Sequence, residues 1–255
     1  MKLDYFHLLS PEPMYFDYIG GVKCPTLREI SRLSYPVYQM YLSILSMTPE
    51  SYYTLIQQTG IYEHLSHQEQ ASLDIFDLLT SDSGMLPTLE AMLDFFLTAA
   101  PKYNKEHRAF LLYEDGKQSE CSGFVSRELW SQLCDIILQR NYLKPKNDDL
   151  SKIKSKRALS IMQKLQKGRE NKKLHAKADK NMEIGNIISA VANKSPSLNI
   201  YNIWDITVYQ LWDAFYRTCS NSIYDIQSMS VAAYGDKDHH FDANAWFQNF
   251  NHNNQ

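Results

Sequence analysis

The densest group of potential metal-binding side chains in the sequence lies near its carboxy end. Carboxylates and imidazoles coordinate metal ions when their geometry converges. The spacing here matches neither a calcium-binding EF-hand loop nor a zinc-binding histidine pair on a helix. We therefore predict no metal and no cofactor, with solvated charge near a polar terminus as the simpler interpretation. The residues concerned are Asp236, Asp238, His239, His240 and Asp242.

The other residues with catalytic potential are isolated in the sequence. His64 and His67 lie three residues apart at a predicted helix start, without an evident third ligand. Cys134 has no visible base or oxyanion arrangement beside it, which favours a buried thiol. Gly20-Gly21 matches neither of the glycine-rich phosphate-binding patterns. We predict that the chain is not an enzyme, and catalytic groups assembled from distant residues are the open alternative.

A basic segment stands out from an otherwise acidic chain. Residues 144–180 hold 13 Lys and Arg against 4 Asp and Glu, whereas the remainder holds 13 against 25. Such cations bind nucleic-acid phosphates by releasing counterions. The segment has no aromatic residue for base stacking, so a solvated helix or a docking arm for an acidic protein explains it equally well. The predicted contacts are Lys152, Lys154, Lys156, Arg157, Lys164, Lys167, Arg169, Lys172 and Lys173.

An aromatic stretch near residue 210 is the candidate surface for a protein partner. One helical stripe is typical of a core and contains Trp204, Val208, Leu211, Trp212 and Phe215. Tyr209 and Tyr216 fall on another flank, where exposure suits a partner or an oligomer contact. We predict that Tyr209, Trp212 and Tyr216 bind a protein partner.

Length and composition limit the class of protein. A chain of 255 residues with 44% hydrophobic residues folds as one large domain or two modest ones. It has no apolar run of about 18 residues, which a membrane helix needs. The first ten residues lack the apolar stretch of a signal peptide. The 4 cysteines have no CxxC spacing and fit reduced thiols, so we expect a cytoplasmic protein without membrane contact.

The sequence of the amino-terminal half predicts helices and two β-hairpins. The first predicted hairpin spans residues 14–24 with a turn at Gly20-Gly21, and the second spans 109–121 with a turn at Asp115-Gly116. Capping boxes at Thr26 and Ser66 begin helices, and Thr48 caps another that runs to about Gln58. The helix from Ser66 is expected to carry Leu73, Phe76 and Leu79, and Pro36 to bend or divide the run after Thr26. Further helices carry residues 89–96 and follow Ser126.

The carboxy-terminal part is predicted to be helical with a polar tail. Residues 182–192 form one helix, and Trp204-Asp205 introduce a second that carries Val208 to Phe215. A shorter helix is expected around residues 223–229, after a break at Asn221. The tail from His239 is polar and frayed apart from the region of Phe241 and Trp246.

Two motifs resemble proteins of tailed bacteriophages that infect Firmicutes. The first is Gly20-Gly21-Val22-Lys23-Cys24-Pro25-Thr26-Leu27-Arg28-Glu29-Ile30. The second is Ile203-Trp204-Asp205-Ile206-Thr207-Val208-Tyr209-Gln210-Leu211-Trp212-Asp213-Ala214-Phe215, followed by Tyr234-Gly235-Asp236 and Trp246. Together they look like small proteins encoded among tail genes, the tail assembly chaperones.

This resemblance implies a noncatalytic assembly factor in the cytoplasm of the bacterial host. Such a factor binds the tape-measure protein or tail subunits before they polymerise. It needs exposed apolar or aromatic patches for its client, and charge that prevents indiscriminate association. The alternative function is nucleic-acid binding through residues 150–180, which would show as a steep salt dependence.

The predicted fold class is α+β and mainly helical. We expect an amino-terminal helical body with two hairpins over residues 1–142. A basic helix or linker follows over 143–181, and a helical part with a polar tail over 182–255.

Overall fold

The computed structural model describes residues 1–114, 121–143, 180–236 and 240–249. These residues are mainly helical and include two small antiparallel sheets, which confirms the predicted α+β class. They form two compact units. The first unit contains the described residues up to 143 together with Trp204–Asp213, and the second contains 180–203 and 214–248. The predicted middle segment falls almost wholly outside the described residues, so the predicted domain boundaries stay a prediction.

The first unit contains short helices, a hairpin and a three-stranded sheet. Its helices are α1 (Tyr5–Leu9), α2 (Leu27–Leu33), α3 (Tyr35–Leu45), α4 (Pro49–Leu55), α5 (Thr59–His64), α6 (His67–Ser72), α7 (Ile75–Ser81), α8 (Leu86–Phe96) and α9 (Arg127–Arg140). Its strands are β1 (Met14–Phe16), β2 (Gly20–Val22), β3 (Ala100–Asn104), β4 (Ala109–Tyr113) and β5 (Cys121–Val125).

The first predicted hairpin is confirmed, but its turn lies earlier than expected. Strands β1 and β2 pair antiparallel with Phe16 opposite Gly20, so the two glycines belong to the return strand. The turn residue Tyr18 has a φ of 66°. Gly21 is needed for a different reason: a Cβ there would lie 2.5 Å from the Thr98 hydroxyl oxygen. The two glycines therefore have different roles: Gly20 takes a φ of 76° where β2 begins, and Gly21 allows the close approach of Thr98.

The predicted capping box at Thr26 is confirmed and begins α2. The Thr26 hydroxyl accepts from the Glu29 amide at 3.2 Å, and the Glu29 carboxylate accepts from the Thr26 amide at 2.7 Å. The following run divides before Pro36, because Ser34 takes a φ of 83° between α2 and α3. Division was one of the two outcomes predicted from that proline.

Two predicted helices are shorter than expected because local caps end them. The helix after Thr48 ends at Leu55 rather than Gln58. The Ser66 capping box is confirmed, but its helix ends at Ser72 and a new one begins at Ile75. The Asp74 carboxylate accepts from the Phe76 amide at 2.8 Å and caps this second helix. A capping side chain inside an apolar run thus divides one predicted helix into two.

The sheet has the order β3-β4-β5 with antiparallel neighbours. Strands β4 and β5 form a hairpin where the second one was predicted, but its return strand is Cys121–Val125 and lies beyond the predicted end at Cys121. The predicted turn at Asp115-Gly116 lies outside the described residues. Strand β3 was not predicted, since it contains Pro101. That residue lies on an edge strand, where proline is tolerated. The Tyr103 amide of β3 donates to the Glu90 carboxylate of α8 at 2.9 Å.

The core of the first unit lies between α7, α8, α9 and the sheet. The ring centroids of Phe76 and Phe110 are 6.0 Å apart, and those of Phe76 and Trp130 are 5.5 Å apart. Arg140 is fully buried at the end of α9. Its guanidinium donates to the carbonyls of Ser10, Glu12 and Val22 at 2.7–3.2 Å. One buried arginine therefore ties the amino-terminal segment and the hairpin to α9.

The second unit contains α10 (Ile184–Lys194) and most of α11 (Val208–Tyr234). Short 3-10 turns occupy Lys180–Met182, Ile203–Asp205 and Ala245–Phe247. The break predicted at Asn221 is wrong: α11 is one helix of 27 residues. Between its ends the sequence has neither Gly nor Pro, and Gly235 (φ 78°) then follows the last turn. None of the described helices is both long and apolar enough to span a bilayer.

Candidate functional site

Two of the three predicted partner-binding aromatics pack inside the first unit. Tyr209 is buried, with its ring centroid 5.2 Å from that of Tyr142 and 6.5 Å from that of Tyr5. Its predicted exposure is therefore wrong. Burial is also the main reason that the pKa of Tyr209 lies above its ordinary value. Trp212 is half-buried and stacks on Tyr142 at 5.9 Å.

The third predicted aromatic, Tyr216, lies in the second unit and is exposed. Its ring meets Phe215 edge to face at 5.4 Å. Whether Tyr209, Trp212 or Tyr216 binds a partner stays a prediction. The nine basic residues predicted for electrostatic contact, from Lys152 to Lys173, lie outside the described residues.

The carboxylates near the carboxy end organise the backbone. Asp236 accepts from the amides of His240 and Phe241 at 3.1 and 3.0 Å. Asp242 accepts from the Asn244 amide at 2.8 Å. Asp238 and His239 lie outside the described residues. In the part of the chain that the structure describes, no three His, Cys, Asp or Glu residues are placed to hold a metal ion.

The second unit exposes far more apolar surface than it buries. It holds ten of the twenty exposed large apolar side chains, although it contains fewer than a third of the described residues. Its buried apolar residues, among those described, are Ile187, Ile188, Val191 and Ile203. Its exposed ones are Met182, Ile200, Tyr201, Tyr216, Ile223, Ile226, Met229, Tyr234, Trp246 and Phe247. Contiguous patches of exposed apolar side chains are typical of interaction sites on folded proteins.

The exposed large apolar residues of α11 lie on one side of the helix. Ile223 and Ile226 are 57% and 65% exposed, and their three-residue spacing makes them neighbours on that face. Met229 continues the exposed surface by a further turn at 63%. The residues of this helix from Ala214 onward include only two charges, Arg217 and Asp225. This face is therefore apolar and nearly uncharged.

The chain after α11 packs along a different face of the same helix. Arg217 Nη1 donates to the Gln248 carbonyl at 2.9 Å, and the Tyr224 hydroxyl donates to the Ala243 carbonyl at 3.3 Å. The ring of Tyr224 also meets that of Phe241 at 5.5 Å. Arg217 and Tyr224 are seven residues apart and so share a face. The tail thus covers one side of α11 and presents Trp246 and Phe247, each about half exposed.

A compact loop between α10 and α11 presents two apolar side chains. The Asn199 side-chain oxygen accepts from the Tyr201 amide at 2.9 Å, and Asn202 Oδ1 accepts from the Asn199 amide at 2.7 Å. Asn202 Nδ2 donates to the Ser197 carbonyl at 3.1 Å. These bonds hold the backbone in place while Tyr201 stands 84% exposed beside Ile200. An ordered loop with an aromatic tip binds a partner at a low entropic cost.

The fold defines a mainly helical α+β protein whose exposed apolar surface is concentrated in its second unit. Residues 175–251 match the family model described as the YomV second domain. The matched segment includes α10, α11 and the tail that packs on α11. No curated protein and no solved structure matches the chain. The carboxy-terminal part is therefore similar to a domain of phage-type proteins, as the sequence resemblance indicates.

Two local sequence features accompany this surface. The Asn and Ser residues of 195–202 are typical of side chains that hydrogen-bond a turn backbone. Ile223 and Ile226 have helical spacing, but the polar run Ser220-Asn221-Ser222 suggested a break between helices. Exposure of these residues depends on tertiary packing, and no local pattern encodes it.

Proposed function

We propose that this chain is a noncatalytic phage protein that binds another protein through its second unit during tail assembly. The observation that carries the proposal is the excess of exposed over buried large apolar side chains in that unit. Burying such side chains against a partner removes apolar surface from water, which is the main driving force of association. The similarity of residues 175–251 to a phage-type domain supports a phage role.

The loop that carries Ile200 and Tyr201 is the best-defined contact in the proposed interface. Its backbone is fixed by three asparagine hydrogen bonds, so binding does not need to order it first. Tyrosine is also among the side chains that contribute most at interfaces. We expect Tyr201 to insert into an apolar depression on the partner.

The proposed partner is the tape-measure protein or another tail subunit before it polymerises. Such a client exposes apolar surface until assembly, which matches the apolar character of the second unit. The sequence resemblance to tail assembly chaperones supports this choice of client. An acidic client would also attract the basic segment at residues 144–180.

The test is recovery of partners with the tagged full-length protein from phage-producing cells. Extracts are treated with nuclease, and the retained proteins are identified by mass spectrometry. Tyr201→Ser removes the exposed ring without disturbing the core, so we expect at least tenfold less tape-measure or tail protein, about 1.4 kcal/mol. Tyr15→Ser is the matched control, because Tyr15 is 74% exposed in the first unit.

Equal recovery of tail proteins by both variants would remove the loop from the interface. Failure of the unaltered protein to retain any tail protein would overturn the assembly role. Retention of nucleic acid alone, lost with nuclease or on raising the salt concentration, would favour the nucleic-acid alternative.

A further inference from the structure

A seven-residue pattern runs along the exposed face of α11 within the second unit. Successive spacings of four and three residues connect Cys219, Ile223, Ile226, Ser230 and Ala233. All five are exposed. Alternating spacings of three and four keep residues on one face of a helix that packs against another helix. The face from Cys219 to Ala233 therefore has the geometry of a two-helix seam.

The residue types along this seam suit close approach of a second helix. Ile223 and Ile226 form two adjacent apolar layers in its middle. Cys219 lies at one end, and Ser230 and Ala233 at the other, and all three are small enough to let helix backbones come near. Met229 and Tyr234 flank the seam and are themselves exposed. Because α11 is already formed in the folded chain, association does not have to order it.

The charge pattern favours another copy of this chain as the occupant. The flanking positions that set partner choice in helix pairs are Ser220, Ser222, Gln227, Met229 and Tyr234, all uncharged. Arg217 and Asp225 lie outside both the seam and these positions. Two identical seams therefore meet without like-charge repulsion, whereas a helix with charged flanking positions would find no opposite charge on this face.

We propose that the Cys219–Ala233 face of α11 binds the same face of a second copy, in parallel and in register. In that arrangement Ile223 packs on Ile223 and Ile226 on Ile226, so the two large layers bury each other. An antiparallel pairing with Ile223 opposite Ile226 would bury the same two layers, but it would place Cys219 opposite Ser230 rather than opposite the second Cys219. The contact is isologous, as expected for a symmetric dimer. This inference rests on α11 alone and does not require the proposed client.

Sedimentation of the purified full-length protein between about 1 and 200 µM is the first test, a range that reports micromolar dissociation constants. We expect a concentration-dependent rise toward twice the 29.7 kDa of one chain. Ile226→Asp should hold the protein at the monomer mass, because it places two carboxylates in the seam. Asn221→Asp adds the same charge on the opposite side of α11 and should leave the dimer intact. Circular dichroism checks that both variants keep their helix content.

Oxidative cross-linking tests the register independently. With Cys121→Ser, Cys219 is the one exposed thiol among the described residues. Copper phenanthroline with oxygen accepts the two electrons and two protons released when two Cys219 thiols form one disulfide. We expect a covalent dimer that is lost in Cys219→Ser.

A protein that stays monomeric throughout the concentration range overturns the proposal. A dimer that persists in Ile226→Asp assigns association to another surface and overturns it as well. A dimer that Ile226→Asp abolishes, but that forms no Cys219 disulfide, overturns the parallel register. None of these outcomes depends on recovery of a client protein. Failure of the proposed dimer can therefore be distinguished from failure of the proposed function.

Discussion

At the scale of single residues, the unusual feature is the buried Arg140. Its guanidinium forms no ion pair with a carboxylate of the described residues. It donates hydrogen bonds to three backbone carbonyls instead. The Nε–H group has no hydrogen-bond partner among the described residues. A buried cation costs several kcal/mol of desolvation unless hydrogen bonds offset it. Arg140 therefore connects segments that are distant in sequence through its hydrogen bonds. Its removal leaves the carbonyls of those segments without these donors.

Arg140→Met should destabilise the first unit by about 3 kcal/mol or more, since it removes three hydrogen bonds made by a buried charged donor. The measurement is the urea midpoint of the full-length protein. Arg127→Met is the control, because Arg127 is about half exposed and forms ion pairs with Asp74 and Asp77. Exposed pairs contribute under about 1 kcal/mol. If Arg140→Met lowers the free energy of unfolding by no more than Arg127→Met does, the stabilising role proposed for Arg140 is wrong.

Buried thiols and phenols make stability depend on pH at the alkaline end. Burial raises the pKa of Cys134 above its ordinary value of 9.0, and that of Tyr38 above 10.0. The unfolded chain then loses these protons at lower pH than the folded chain does. The contribution of these groups to the free energy of unfolding should therefore be steady below about pH 9 and fall as pH rises further. Urea midpoints across this range measure it, and Cys134→Ala should reduce the slope near pH 9.

At the scale of elements, the hairpin and the sheet meet at a glycine. The Phe124 amide of β5 donates to the Tyr18 carbonyl in the β1–β2 turn at 2.7 Å. A Cβ at Gly123 would lie 2.3 Å from that same oxygen. Because the contact is with backbone, one of the two elements would have to move.

Gly123→Ala should accordingly cost about 1–3 kcal/mol, the usual penalty for overpacking a fixed site. Gly60→Ala is the matched control: Gly60 lies in α5, and its Cβ would meet nothing within 4 Å. That substitution should be neutral or stabilise by up to about 1 kcal/mol, because alanine favours the helix. Thermal unfolding of both variants compares them directly. Two similar melting temperatures would show that the hairpin tip adapts freely.

The elements that sequence reasoning predicted correctly are those whose signals are local. The boxes at Thr26 and Ser66 involve side chains three residues from the amides they cap, so the sequence contains the whole interaction. Strand β3 was not predicted, because Pro101 locally argues against a strand and the pairing with β4 and Glu90 is made with residues elsewhere in the chain. The continuity of α11 was missed because the weak helix formers Ser220 to Ser222 resemble a boundary, although nothing in them ends a helix.

The candidate site was predicted less well than the fold, for a related reason. The aromatic residues near residue 210 do lie on a helix, as their spacing predicts. That spacing does not determine which face of the helix packs against the rest of the unit. Tyr5 and Tyr142 cover Tyr209, and they lie 204 and 67 residues away in the sequence. Exposed large apolar side chains lie instead on the loop at 195–202 and on the face of α11 around Ile226.

At the scale of the whole molecule, the first unit depends on a short segment that arrives late in the chain. The Leu27 amide donates to the Ile206 carbonyl at 2.9 Å, and Gln210 Nε2 donates to the Leu9 carbonyl at 2.8 Å. Thr26 and Thr207 form a β-bridge. Val208 and Leu211 are buried as well. Residues 1–143 therefore do not complete their own core without Trp204–Asp213.

This dependence predicts different outcomes for two truncated chains that differ by 11 residues. A chain ending at Asp213 keeps the contacts that Trp204–Asp213 makes with residues 1–143, whereas one ending at Asn202 loses the burial of Val208, Tyr209 and Leu211. Each such side chain contributes about 1.5–3 kcal/mol, so the shorter chain should lose several kcal/mol. Amide hydrogen exchange in β4 and α9, compared with the full-length protein, measures the effect. Equal protection in the two truncated chains would show that the first unit is stable without this segment, and faster exchange only in the shorter chain would show that the segment completes its core.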